Sequence, residues 1–185
     1  LCHFRKDPVM IKPTLANLSP IKQEKLRQAV FLEFSQRPLL DAKVANIVKQ
    51  AGISRGAFYT YFDDIYDAYQ WAADLIFADI HQQLQGSGEQ IAQTIAFLNH
   101  VRTREDYDFL KYHYTVNAAI IAQRLPDQQR KRLRHLKPDA DDQTIHEWLV
   151  TQSVHGLVAD FFLHPDAQDD ILKTLTTLAN WQKRD

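Results

Sequence analysis

Cysteine is almost absent: Cys2 is the only one in 185 residues. That excludes an internal disulfide framework and a thiolate metal site, and it fits a reducing, cytoplasmic setting. Glycine is scarce, with five residues, and alternating apolar–polar runs of strand type are missing. Fully apolar stretches last only a few residues, far short of the roughly 20 that span a bilayer, so no membrane association is expected. The start, LCHFRKDPV, lacks the apolar core of a signal peptide. Because the only methionine is Met10, residues 1–9 are expected to be a remnant or an upstream start, with MIKPTLANLSP as the natural beginning. No HExxH, Walker loop, GxGxxG or GxSxG pattern occurs, so neither an enzyme nor a cofactor is expected.

What is present is a soluble composition, with 45% hydrophobic and 24% charged residues. The net charge of −1 hides an uneven distribution. Residues 1–62 carry ten basic and four acidic side chains, a net of +6, whereas the remaining 123 carry twelve and nineteen, a net of −7. A basic first third on an acidic remainder suits contact between the first part and a polyanion.

Apolar spacings of three and four predict an all-α fold of about nine helices: three N-terminal helices, then a helical bundle. Ser19 with Pro20 starts the first, as an N-cap hydroxyl followed by a proline at the first helical position. Ile21, Leu26, Val30, Phe31 and Phe34 form its apolar stripe. Asp41 is expected to cap the second, which Gly52 stops. Ser54 caps a short third helix ending near Phe62, and Asp63 and Asp64 stand at the positive end of a fourth that runs to about Gln85. GSG at 86–88 breaks the chain, with Ser87 and Gln90 as a capping box. Helices follow over about 105–124, over the basic run near 128–137, over 139–164 and over 166–183. Domains are expected at 19–63 and 64–185, preceded by an extension over 1–18.

The stretch AKVANIVKQAGISRGAFYTYF, residues 42–62, reads as two short helices joined at Gly52. The second helix of such a unit fits the DNA major groove, about 12 Å wide. Gly56 and Ala57 are small enough to let its backbone approach base edges. Within it, AGISRGAFYTYF resembles the A-G-V-S-x-G-x-x-Y-x-[HY]-F signature of TetR-type transcriptional regulators, and the chain length and helical remainder agree with that family. The resemblance implies a dimer whose recognition helices read successive major grooves of a near-palindromic operator. It places Ser54, Arg55, Ala57 and Thr60 at bases or neighbouring phosphates. Tyr59 and Tyr61 take the positions that hydrogen-bond phosphates, and Lys43, where the family more often has Thr, supplies another phosphate contact. Phe58 and Phe62 are core. Two departures stand out: the family's phosphate-binding Lys after the motif is Ile65 here, and Asp63 and Asp64 beside it would repel phosphate.

The resemblance further implies a repressor released by a small-molecule effector, with Tyr69, His100, Tyr107, His113, Tyr114, Asn117 and His155 as polar candidates to line its site. It implies dimerisation through the last two helices, with Trp148, Gly156, Val158, Phe162, Leu175 and Leu178 at the interface. The alternative is a dimeric ligand- or protein-binding helical module that has lost specific DNA binding, supported by Asp63, Asp64 and the missing Lys. The run KRLRH, Lys131–His135, reads as a solvated face paired with nearby acids. His146, His155 and His164 are nine apart, which spreads the outer two over about 27 Å of helix, too far to share a metal.

Overall fold

The computed structural model describes residues 12–84, 90–124 and 136–183. Among them every regular element is helical, and no helix is long and apolar enough to cross a membrane. The capping box at Ser87 and the run Lys131–His135 lie outside the described residues.

The chain divides into two compact units. Among the described residues, the first comprises 12–79 together with Glu105–Ile121. It opens with α1 (Pro13–Ala16), α2 (Pro20–Gln36), α3 (Val44–Ala51) and α4 (Arg55–Tyr61). It continues with most of α5 (Ile65–Leu84), and then with α7 (Tyr107–Tyr112) and a π-helical turn over His113–Asn117 that leads into α8 (Ala118–Arg124). Its core is aromatic. Phe58 and Phe62 of α4 pack together, and Phe62 meets Trp71 of α5 at 5.4 Å between ring centroids. Tyr69 stacks on Phe109 of α7 at 5.4 Å and meets Phe34 of α2 edge-on at 5.0 Å.

The second unit comprises Ile80–Arg104 and the chain from Ala122 onward. It contains α6 (Gln90–His100), a 3-10 turn at Val101–Thr103, α9 (Asp142–Leu163) and α10 (Gln168–Gln182). Ile91, Leu98, Val101, Val158, Phe162 and Leu175 are buried in it. Arg102 donates to the Gln168 side chain at 2.7 Å, and Gln168 donates to the Phe161 carbonyl at 2.9 Å, which fixes the start of α10 against the end of α9.

Local signals placed most boundaries, and several details differ. Ser19 occupies the N-cap of α2 but makes no side-chain cap bond, so Pro20 alone marks that start. Ile21 is 72% exposed and lies off the core face. Asp41 does not cap α3, whose N-cap is Lys43. The expected single helix over 105–124 starts at Tyr107 and contains the π turn at His113–Asn117. Residues 13–16, assigned to an extension, form α1, and its Leu15 is 1% exposed in the core. The compact units divide at 79/80, 104/105 and 121/122.

Candidate nucleic-acid interface

The turn between α3 and α4 follows from its residues. Gly52 adopts a left-handed conformation, φ 67° and ψ 35°, which costs glycine nothing and other residues about 1 kcal/mol or more. Ser54 then caps α4, its hydroxyl accepting the Ala57 N–H at 3.1 Å. Phe58 and Phe62 point inward and are essentially fully buried. That leaves Ser54, Arg55, Gly56, Tyr59 and Thr60 exposed, with Ala57 and Tyr61 half-buried. Seven of the eight expected DNA-facing residues therefore belong to one cap and one helix, and Lys43 is exposed at the start of α3.

Arg55 and Tyr59, one turn apart, are organised together. The guanidinium donates to the Tyr59 hydroxyl at 3.3 Å and lies 5.8 Å from the ring centroid. The Thr60 hydroxyl donates back along the helix to the Gly56 and Ala57 carbonyls, so it meets an outside partner chiefly through its oxygen lone pairs and methyl group. A side chain at Gly56 would meet nothing closer than the Ser54 hydroxyl at 3.9 Å. Nothing among the described residues requires glycine there.

Two supports of this head went unrecognised in the sequence. Glu33 of α2 is 4% exposed. It accepts from the Lys43 N–H at 2.7 Å and from the Asn46 side-chain amide at 3.1 Å, with Arg37 at 3.6 Å. It thus caps α3 from the neighbouring helix, where the positive helix end favours a carboxylate. The available signal was an acid on the same face as Leu26, Ala29 and Val30. The second support is α1: the Thr14 hydroxyl donates to the Thr60 carbonyl at 2.6 Å, and Lys12 pairs with Asp63 at 2.6 Å. Asp63, expected to repel phosphate, therefore has a cation beside it. Asp64 caps α5 as its position suggests, accepting from the Tyr66 and Asp67 N–H groups at 2.8 and 2.9 Å.

The seven candidate ligand residues are divided between the units. In the first, the Tyr69 hydroxyl meets His113 Nδ1 at 2.7 Å, and His113 lies edge-on to Phe77 and Tyr114. Burial pushes the His113 pKa down to about 3, so the ring is neutral, and its tautomer sets which of the two groups donates. Asn117, fully buried, accepts from the Leu39 N–H at 2.9 Å. Tyr107 is half-buried at the start of α7. In the second unit, His100 is exposed at the end of α6, while His155 lines a cleft of about 110 Å³ with Ile91, Thr94, Val150, Val154 and Gln182.

The six candidate interface residues also separate. Val158, Phe162 and Leu175 are buried within the chain and form core there. Trp148 and Leu178 are half-buried, and Gly156 is exposed. Leu149 and Trp181 are 53% and 46% exposed.

A capped short helix, set by a left-handed glycine turn and presenting Arg55 and Tyr59 outward, defines a helix–turn–helix DNA-binding protein. Comparison with known proteins agrees. The sequence profile of bacterial regulatory proteins of the tetR family matches residues 29–67. An uncharacterized HTH-type transcriptional regulator of Bacillus subtilis, YdgC, is 25% identical over 169 residues, covering 76% of this chain and 81% of that protein. A TetR transcriptional regulator from Rhodococcus sp. RHA1 shares the fold, with a TM-score of 0.53 at 13% identity over 86% of this chain and 95% of that one. Residues 29–67 thus resemble the DNA-binding region of tetR-family regulatory proteins, and the chain shares its fold with a TetR transcriptional regulator.

Proposed function

We propose that this regulator is a cytoplasmic homodimeric repressor that leaves its operator when a small molecule binds. Residues 19–63 form the reading head and residues 64–185 the sensing and dimerising part. The observation that carries the reading is the exposed face of α4. Arg55, Gly56, Tyr59 and Thr60 are turned outward while Phe58 and Phe62 anchor the helix from behind. Arg55 and Thr60 meet base edges, and Tyr59, Tyr61 and Lys43 meet phosphates, as such helices do.

The dimer contact is supported by Leu149, Gly156 and Leu163, all exposed and seven residues apart on α9, hence on one face. A side chain at Gly156 would meet nothing within 4 Å, which leaves that face open to another helix. The effector site is supported most directly by the cleft at His155, whose Nδ1 is buried without a partner among the described residues. The test of the reading head is Arg55→Ala with Tyr59→Ala. The double variant should keep its fold and dimer and lose affinity for the duplex that the unmodified chain selects. Retained affinity removes α4 from the site.

A further inference from the structure

We propose that Asn117 is a positioning residue of the helix–turn–helix, setting the loop from which α3 starts and thereby the DNA affinity. The proposal rests on the DNA-reading role of α4. After α2 ends, the chain turns through Arg37–Lys43, and each backbone N–H in that loop needs a partner wherever water is excluded. Pro38 has none to offer. Asp41 and Ala42 donate within the loop, to the Pro38 and Leu39 carbonyls. Lys43 donates to Glu33. Leu39 is 1% exposed, and its N–H goes to Asn117 Oδ1 at 2.9 Å, across 78 residues of sequence. Glu33 sits on α2 and moves with it. Asn117 instead reaches in from the π turn, on a segment whose flanking chain on both sides is assigned to the other compact unit.

Two further observations mark this contact as more than packing. Asn117 Nδ2 is buried with no partner among the described residues, a desolvation cost that an apolar residue of similar shape avoids. Only its oxygen is used in this contact. The turn that carries it, His113–Asn117, closes with the Ala118 N–H on the His113 carbonyl. Such a widened turn has an α-helical alternative that rotates the downstream residues by about 100°. His113, held by Tyr69 and packed on Phe77, pins the first residue of that turn, and Asn117 is its last. In the α-helical alternative Asn117 leaves Leu39 and the loop loses its tie. Whatever shifts the turn therefore reaches the reading head.

The test compares the full-length chain with Asn117→Leu and Asn117→Ala. It uses backbone amide exchange, thermal unfolding, and binding to a labelled duplex recovered from a random-sequence library by selection on the unmodified chain. In the unmodified protein the Leu39 amide should exchange roughly a hundredfold more slowly than that of exposed Leu40. In Asn117→Leu, which removes the unpaired donor together with the acceptor, the melting temperature should stay within a few degrees. Its Leu39 resonance should shift, its Leu39 exchange should approach that of Leu40, and duplex affinity should fall roughly tenfold. Leu39 exchanging as fast as Leu40 in the unmodified chain overturns the proposal, and this arm needs no variant to fold. Unchanged duplex affinity in Asn117→Leu or Asn117→Ala also overturns it while leaving the role of α4 intact. Failure of the unmodified chain to recover any duplex contradicts that role instead, and the proposal falls with it.

Discussion

Histidine normally titrates near pH 6.5, but burial among Tyr69, Phe77 and Tyr114 pushes the His113 pKa down to about 3. The sign of the consequence is fixed. Between pH 6.5 and about 3 the unfolded chain takes up a proton that the folded chain refuses, so stability is full above pH 6.5 and falls as the pH drops. The slope contributed by this one group is at most about 1.4 kcal/mol per pH unit. The urea midpoint of the unmodified chain should therefore drop more between pH 7 and 5 than that of His113→Phe; parallel curves would contradict the assignment. Gly56 makes the opposite kind of case, since its freedom is not used by the fold. Gly56→Ala should leave stability unchanged or raise it by up to about 1 kcal/mol, while weakening duplex binding because the added methyl stands between helix and groove. A variant that binds as well as the unmodified chain would show that α4 does not approach DNA at this residue.

Among the elements, what could be read from sequence and what could not separates by range. Ser54 and Asp64 cap the helices that begin beside them, and both roles follow from a few neighbouring residues. Gly52, Phe58 and Phe62 are likewise local or periodic signals. Glu33 and Asn117 act across 10 and 78 residues. A sequence places each on a helix face without saying which N–H another segment brings against it. The same limit explains Asp41: its position suits a cap, but Glu33 already occupies the α3 start. Ser19 and Ser54 offer a direct comparison. Ser54→Ala should cost about 1 kcal/mol in chemical denaturation, and Ser19→Ala, which breaks no cap bond, should cost little. Equal losses would mean that Ser54 does not cap α4 in solution.

For the whole molecule, the charge imbalance of the sequence corresponds to a division of labour. The +6 first third holds α2, α3 and α4, and the −7 remainder holds the helices expected to sense and dimerise. That polarity orients the molecule towards a polyanion with its reading head first. Helical periodicity marks apolar stripes without assigning them to core or to the proposed dimer face. Val158, Phe162 and Leu175 turned inward, whereas Leu149, Gly156 and Leu163 remain exposed. Leu149→Arg with Leu163→Arg should convert the dimer to a monomer of unchanged helicity, measured by light scattering and circular dichroism. A dimer that persists would move the interface elsewhere.

The central claim is that α4, through Arg55 and Tyr59, reads DNA. Its most direct measurement is the affinity of the unmodified chain and of Arg55→Ala/Tyr59→Ala for the selected duplex across a salt series. The account predicts tight binding by the unmodified chain with a log–log salt slope of about −2, since Lys43 of each of two subunits neutralises one phosphate while Arg55 is committed to bases. It predicts loss of specific binding in the double variant at unchanged fold and dimer. Equal affinity in the two proteins would contradict it.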